Sequence, residues 1–522
     1  MLRYSPRVIV ALLVAPAIAF AQTARTLTLD EALRLAEGQS EAVHIAQAGV
    51  VRAHGGQLQA FSQYLPQING TATYTRTLAS QFSALRSTPA PVPPVGTPPV
   101  PPPDTTRFFT PCTRYLAPAG ATEAERVLAL ENFARCSSGG GSSIDFSKVG
   151  FGAENQYNLG LAGSLTLFSG GRVQAQNSAA NAARRTADIE LAAQRAKLTL
   201  DVTQSYLDAV LADRLVAIAE SSLAQTESVL QQTRLAREVG NQSEFELLRA
   251  QVTRDNQVPI VLQRRTDRDI AYLRLKQLLN LPASGPVALA TPLADEKDLL
   301  GGPATAAMPA AAATSEPDTS AADRATVRQL EEGLRAQEAQ RRVVLAERYP
   351  SFTLSSSYGR LAFPTGVVPS WSNFLTSWTV SVGASMPLFT GGRLRGDALI
   401  AEASVRETRE RLQQTRELAA LDAEQTVAQL AQAEAALKAS AGTGEQAAKA
   451  YTIAEVRFRE GLSTQVELND ARLMQQQASA NRAQAIRNLQ VARTRLALLK
   501  DLPLGTGSAS TTNTTTQPPQ PQ

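Results

Sequence analysis

Residues that commonly carry catalysis or bind metals are scarce in this chain. It has two histidines and two cysteines among 522 residues. His44 and His54 both lie in the first helical stretch, without a cysteine beside them, so we interpret them as ordinary helix residues. A Ser-His-Asp arrangement is not excluded by the sequence, but nothing marks a nucleophile. We therefore predict no enzyme activity, no metal site and no cofactor.

The two cysteines, Cys112 and Cys136, lie in one insertion at residues 78–154, which also contains a proline-rich run. In an exported protein, a single cysteine pair within one loop favours a disulfide over a metal or redox site. Export is predicted by the N-terminus, where Arg3 and Arg7 precede an apolar run and a small-residue cleavage site. We predict a signal peptide over residues 1–21.

Acidic residues follow two glycine-containing turns. Glu467 and Asp470 come six and nine residues after Gly461, and Glu246 comes six residues after Gly240. Because residues three apart on a helix lie on one face, Glu467 and Asp470 form a pair of neighbouring carboxylates. From the residues alone, this pattern favours a solvated helix face over a functional site.

The overall charge does not indicate that the chain binds nucleic acid, because 51 basic and 47 acidic residues nearly cancel to a formal charge of +4. Aromatic residues make up only 5% of the chain. The long middle segments are rich in Ala, Gln, Arg, Glu and Leu, a bias typical of extended helices packed as coiled coils.

Four segments alternate between apolar and polar residues, as expected of barrel strands with one lipid face and one wet face. We predict these strands around residues 66–77, 155–168, 350–362 and 374–389, with residues 78–154 as a long external loop. Several aromatic residues near the loop ends of the strands fit an interfacial girdle, but strand aromatics are also common in soluble sheets. They are Tyr74, Tyr157, Tyr358, Trp371 and Trp378.

The remaining segments predict long helices. Residues 172–239 contain neither Gly nor Pro, so that helix reaches about 100 Å at a rise of about 1.5 Å per residue. A turn at Gly240 leads to a return helix over residues 243–281, and a second pair is predicted at 393–460 and 463–502. A shorter helix precedes each strand pair. Residues 283–322 are predicted to form a linker or a small peripheral module, the equatorial segment between the halves, and 504–522 a disordered tail.

The chain repeats itself. Leu167-Phe168-Ser169-Gly170-Gly171-Arg172 recurs 221 residues later as Leu388-Phe389-Thr390-Gly391-Gly392-Arg393, and the same offset relates Gly240 to Gly461. The repeat predicts an internal tandem duplication, with residues 22–282 and 323–503 as its halves. In each half a strand is expected to turn directly into a helix through two glycines, Gly170 and Gly171 or Gly391 and Gly392.

Four strands cannot close a membrane barrel, since bacterial barrels need at least eight. Open strand edges are not tolerated in lipid, because each unpaired backbone group there costs several kcal/mol. Either the strands lie outside a membrane, or several chains share one barrel.

These motifs resemble those of the TolC family of outer-membrane efflux and export channels, and the resemblance spans roughly residues 27–503. It implies a mixed α and transmembrane β fold, in which three chains with four strands each form a 12-stranded barrel. The barrel would continue as an α-helical coiled-coil tunnel in the periplasm. The resemblance also implies a passive exit duct, located in the outer membrane with its helices in the periplasm. Its implied partners are outer-membrane lipid, a periplasmic adaptor and, through the adaptor, an inner-membrane pump of RND or ABC type.

The resemblance also assigns roles to residues of the turns. Glu467 and Asp470 match acidic positions that ring the periplasmic constriction of the tunnel, and Glu246 matches a carboxylate that helps to latch it closed. The family's latch has an arginine where this chain has Ser463, so Arg457 or Arg459 is a candidate replacement. The turn residues match the adaptor-contacting region; they are Gly240, Asn241, Gln242, Ser243, Gly461, Leu462, Ser463 and Thr464.

An alternative from another class is a secreted or surface coiled-coil structural protein without transport activity. The four alternating segments and the duplication argue against it. The sequence does not identify the transported substrate, because drug efflux, metal efflux and protein secretion all use such a duct.

Overall fold

The computed structural model describes residues 25–79, 115–139, 153–290, 319–364 and 366–504. The predicted signal peptide, Cys112, most of the predicted linker and nearly all of the predicted tail lie outside these ranges. The pairing of Cys112 with Cys136 therefore stays a prediction. The described residues form two compact units. The helical unit contains residues 25–61, 171–290, 319–348 and 389–504, and the strand unit contains residues 62–79, 115–139, 153–170, 349–364 and 366–388.

Long α-helices dominate the helical unit. In chain order they are α1 (Leu29–Gln39), α2 (Glu41–Ser62, whose last residue falls in the strand unit), α4 (Arg172–Glu238), α5 (Glu244–Leu278), α6 (Ala325–Ala346), α7 (Arg393–Arg459) and α8 (Gln465–Ala497), with α3 (Glu123–Gly139) in the strand unit. Helices α4 and α7 have 67 residues each, so each reaches about 100 Å. Within the described ranges, no helix combines the length and apolarity that a membrane crossing requires.

The first helical stretch is divided at Ser40 and is not interrupted at Gly55 and Gly56. Helix α2 runs through both glycines, each of which costs only about 0.5–1 kcal/mol in a helix interior. The backbone of Ser40 is extended, and its hydroxyl accepts a hydrogen bond from the Val43 amide at 3.5 Å. A serine that caps the next helix therefore ends the first one.

The apolar core of the helical unit joins α1, α4 and α5. Tyr206 of α4 is fully buried there, and its hydroxyl donates a 2.9 Å hydrogen bond to the backbone oxygen of Leu27. Leu27 ends a short strand, β1 (Arg25–Leu27), which pairs in parallel with β4 (Val287–Leu289). This two-stranded pairing fixes the start of the predicted linker next to the first helix. The sequence does not reveal these two strands, because three residues are too few to show an alternating pattern.

The strand unit is an antiparallel sheet of four strands in the order β2, β3, β5, β6. The strands are β2 (Gln67–Arg76), β3 (Asn155–Phe168), β5 (Ser351–Ala362) and β6 (Phe374–Ser385). Consecutive strands pair along most of their length, so residues opposite each other form rows across the sheet. Within the described residues, β2 and β6 each pair on one side only, and they are the two edges.

The two faces of the sheet differ in polarity because side chains alternate along each strand. One face carries mostly Ser, Thr, Asn, Gln and Gly; one of its rows joins Gln67, Ser164, Ser355 and Ser381. The other face is mostly apolar; its rows include Gly70, Leu161, Tyr358 and Trp378. We call this second surface the apolar face.

The two strand-to-helix junctions differ in length. At the first, β3 ends at Phe168 and α4 begins at Arg172, with both intervening glycines at positive φ. At the second, β6 ends at Ser385 and seven residues precede Arg393. The prediction that this strand reaches residue 389 is wrong. Its last pair joins Ser385 to Ser351, and Pro350 and Pro387 lack the amide protons that would extend the ladder.

Candidate functional site

The two helical hairpins, α4 with α5 and α7 with α8, end in turns of the same construction. Gly240 and Gly461 have φ of 78° and 72°, a left-handed conformation that favours glycine. The residue after each glycine donates a hydrogen bond back to the carbonyl five residues earlier, Asn241 to Ala236 at 2.8 Å and Leu462 to Arg457 at 2.7 Å. Both helices therefore end with a Schellman motif.

The return helices begin with equivalent caps, which fix the two glutamates. The hydroxyl of Ser243 accepts a 3.3 Å hydrogen bond from the Glu246 amide, and the hydroxyl of Thr464 accepts one of the same length from the Glu467 amide. Both glutamates thus occupy the third position of a helix. A carboxylate at this position is stabilised by the positive end of the helix dipole.

The three predicted gate carboxylates are not equivalent. Glu467 and Asp470 are exposed on one face of α8, whereas the opposite face buries Leu468 and Ala471. Glu467 forms an ion pair with Arg457 at 3.4 Å, in which both side chains are half exposed. Such a pair contributes about 0–1 kcal/mol. Glu246 is less exposed and pairs with Arg249 of its own helix at 3.2 Å.

The structure therefore brings Arg457 to Glu467, not to Glu246. Glu246 is joined to the second hairpin by Gln465, which the sequence did not single out. With its amide oriented by these partners, Gln465 donates to the carboxylate of Glu246 at 2.9 Å and accepts from the backbone amide of Ala250 at 3.1 Å. Gln465 is 6% exposed, so this contact between the hairpins is sheltered from water.

A second connection between the hairpins is made by Arg472, which is 6% exposed. Its guanidinium donates to Asn469 at 2.8 Å, to the hydroxyl of Ser222 on α4, and to Gln257 on α5 at 3.4 Å. None of these partners is a carboxylate, and burial lowers the pKa of Arg472. A polar network around a buried cation thus holds α8 against the first hairpin.

A small cavity of about 20 Å³ separates these two connections, enough for about one water molecule. Tyr451 of α7 lies on its wall, and burial raises the pKa of that phenol. Ala454 and Leu468 complete an apolar contact beside it. In the part of the chain that the structure describes, no cluster of His, Cys, Asp and Glu is suited to hold a metal ion.

Sequence reasoning missed Gln465 and Arg472 because both are polar residues on a helix face that packing buries. Glutamine and arginine are common on exposed helical faces, so composition gives no signal for their burial. The one available signal was position: Gln465 is the first residue of the return helix, four after Gly461.

Comparison with known proteins gives a consistent result. The chain matches the family model described as outer membrane efflux protein over residues 136–281 and 317–500. It is 27% identical over 326 residues to the pyoverdine export outer membrane protein OpmQ of Pseudomonas putida, covering 59% of this chain and 63% of that one. It is also 27% identical over 257 residues to the toluene efflux pump outer membrane protein TtgF of another strain, covering 48% of this chain. The match spans 63% of OpmQ and 50% of TtgF, less than two-thirds of either relative.

Solved structures share the fold. The outer membrane protein VceC of Vibrio cholerae is 17% identical with a TM-score of 0.63, and the match covers 90% of this chain and 95% of that one. The open state of the MtrE outer membrane channel of Neisseria gonorrhoeae is 17% identical with a TM-score of 0.64, covering 91% and 89%.

Proposed function

The chain belongs to the outer membrane efflux protein family and is located in the outer membrane, and from this premise we propose that it is the exit duct of a tripartite efflux or type I secretion system. In this role it passively conducts substrates delivered by an inner-membrane pump of RND or ABC type through a periplasmic adaptor. Its family and fold are those of channel proteins. We assign it no catalytic role and no cofactor.

The observation that carries this proposal is the exposed apolar face of an open-edged sheet. Trp378, Val380 and Val382 are 72%, 64% and 66% exposed, although they lie in regular strands. In water such a surface is unfavourable by about 25 cal/mol per Å² of apolar area. Against lipid it is favourable, provided that the edges β2 and β6 find hydrogen-bond partners.

Partners for these edges are best supplied by further copies of the same chain. We propose a homotrimer in which three sets of four strands form one 12-stranded barrel. The helical units then form the periplasmic tunnel. The equal lengths of α4 and α7, and the identical construction of the two hairpin turns, support an internal duplication of the chain.

The proposed adaptor contact uses the turn residues at Gly240–Ser243 and Gly461–Thr464. Apolar side chains stand exposed around both turns: Val239 and Phe245 are 72% and 62% exposed, and Leu462 is 70% exposed. Partner helices dock through their apolar face, so exposed apolar groups at both turns support this contact. We further propose that Glu467 and Asp470 line the constriction, with Glu246 in the contact that holds it closed.

The proposal is tested by deleting the gene and measuring susceptibility to a panel of drugs, dyes and detergents while every pump gene is intact. We expect susceptibility to rise for the substrates of at least one pump, and the wild-type gene to restore resistance. A Leu462→Asp variant should restore it poorly, because a charge on the exposed turn weakens adaptor docking. If the deletion strain shows unchanged susceptibility and unchanged secretion while every pump is present, the proposed duct function is contradicted.

The alternative, a coiled-coil structural protein, does not explain the exposed apolar face. It also predicts a chain that dissociates in detergent, whereas a shared barrel predicts an oligomer that resists detergent.

A further inference from the structure

In the described part of the sheet, two arginines, Arg76 and Arg360, lie on the apolar face, where lipid is expected. Arg360 of β5 occupies the row of Ala72, Leu159 and Thr376, one row from the loop end. The next row toward the loops contains Tyr74 and Tyr157, whose rings lie 4.8 Å apart. Arg360 is therefore placed just inside the ring of aromatic residues at the loop ends of the strands.

A groove runs along the sheet from this arginine. Its volume is about 370 Å³, and Leu159, Leu161 and Tyr358 line it together with Arg360. On the edge strand β2 the groove is open because Gly70 and Ala72 have little or no side chain. The groove is thus apolar along its length and positively charged at its loop end. This distribution matches an acyl chain that carries an anionic headgroup.

The arginine is only partly satisfied by the chain. Among the described residues, its Nε atom is buried and has no hydrogen-bond partner. The guanidinium lies 5.9 Å from the centre of the Trp371 ring, a cation–π contact that does not neutralise its charge. On a lipid face an arginine costs about 2–4 kcal/mol at the bilayer midplane and about 0–1 kcal/mol near the interface. An arginine one row from the loop end of the sheet is therefore less costly at the headgroup level than deeper in the bilayer.

We propose that this groove binds a phosphate-bearing lipid of the outer leaflet, with a phosphate at Arg360 and an acyl chain along Leu159 and Leu161. A guanidinium binds phosphate oxygens through parallel N–H donors, and no carboxylate is among the contacts shown for Arg360 in the described residues. The inference rests on the loop ends facing outward, which the proposed periplasmic position of the helices requires.

The nearby Arg76 provides a matched comparison. It lies on the same face at the loop end of β2, but its guanidinium already pairs with Glu154 at 2.8 Å. Because Arg76 already has an acidic partner, we do not expect it to bind a lipid phosphate, and Arg76→Gln is the matched control for Arg360→Gln. Filling the groove is a separate perturbation, which Ala72→Phe supplies without changing any charge.

The experiment is native mass spectrometry of the full-length oligomer in detergent, titrated with bis-phosphorylated lipid A, with its dephosphorylated form, and with inorganic phosphate. We expect lipid A to bind and Arg360→Gln to weaken it at least about tenfold, the effect of losing one charge-assisted hydrogen bond. Ala72→Phe should weaken binding as well. Arg76→Gln should leave it within about twofold.

Three outcomes would overturn the site. Equal binding of lipid A by wild type and Arg360→Gln excludes the arginine as the headgroup ligand. Equal binding of the dephosphorylated lipid shows that phosphate is not recognised. Competition by inorganic phosphate alone shows an anion site without a lipid. Detergent-resistant oligomers of each variant, assayed in parallel, confirm that the proteins are folded.

Discussion

Gln465 shows how much of the proposed gate depends on one neutral side chain. It donates to Glu246 and accepts from the Ala250 amide, so it links the first residue of α8 to the first turns of α5. Movement of one hairpin tip away from the other must break both hydrogen bonds. Each contributes about 0.5–1.5 kcal/mol, and their burial protects them from competition by water.

We predict that Gln465→Glu opens the tip. The change places a second carboxylate beside Glu246, so repulsion replaces a hydrogen bond and destabilises the closed contact by roughly 1–3 kcal/mol. Single-channel conductance in planar bilayers should rise at neutral pH and fall back as acid protonates the introduced carboxyl. Gln477→Glu, an exposed position on the same helix, is the matched control and should conduct like wild type. A closed channel at neutral pH in Gln465→Glu would count against the link.

The exposed carboxylates of α8 make a separate prediction. If Glu467 and Asp470 line the constriction, three chains bring six carboxylates together, and this ring favours cations. The double variant Glu467→Ala with Asp470→Ala should therefore weaken the block of single-channel current by multivalent cations by about tenfold or more. Glu445→Ala removes an exposed carboxylate of α7 that pairs with Lys449, and it should leave the block unchanged. Unaltered block in the double variant would exclude this gate.

For the carboxylates near the two turns, the sequence predicted their positions in the helices better than their hydrogen-bond and ion-pair partners. The resemblance pointed to Glu246, Glu467 and Asp470. The backbone amides of Glu246 and Glu467 are bonded by the caps Ser243 and Thr464, as capping rules suggest. Because this chain has Ser463 where the family has an arginine, the sequence did not identify the partner of Glu246. In the structure Glu246 is contacted by a glutamine, Gln465, because a neutral amide can bond to a carboxylate and to a backbone amide at once. Such pairing depends on how two hairpins pack, which local patterns do not encode.

At the scale of elements, long and regular patterns were informative and short irregular ones were not. The absence of Gly and Pro marks α4, which runs from Arg172 to Glu238, close to the expected 172–239. Alternation similarly marks β3 at Asn155–Phe168. The pairing of β1 with β4 was not foreseen, because parallel three-residue strands gain their stability from tertiary contacts rather than from their own residues.

The end of β6 illustrates a different limit. Alternation continues through Met386 and Leu388, yet a strand needs a partner as well as a pattern. The partner strand begins at Ser351, directly after Pro350, so no ladder exists beyond Ser385. Leu388 and Phe389 are each 91% exposed in the single chain. In the proposed barrel these two exposed side chains would be covered by lipid or by another chain.

The whole molecule therefore presents surfaces that one chain cannot satisfy. The edges β2 and β6 run antiparallel in the strand order, so β6 of one chain can pair with β2 of another and continue the same alternation of strand directions. Three chains reach the number of strands that membrane barrels need, whereas one does not. The same step satisfies the edge backbone groups, each of which would otherwise cost several kcal/mol in lipid.

This arrangement predicts disulfide crosslinks between chains at those edges. After both native cysteines are replaced by serine, paired cysteines are introduced at Asn69 or Thr71 of β2 and at Ser377, Thr379 or Ser381 of β6. Facing residues of neighbouring strands bring their Cβ atoms within about 4.5–5.5 Å, close enough for a disulfide after a small adjustment. At least one combination should give covalent dimers and trimers on mild oxidation in membranes. Variants with a single cysteine should stay monomeric on denaturing gels. If every combination yields only monomers while the protein remains folded, the edges do not meet and the shared barrel is wrong.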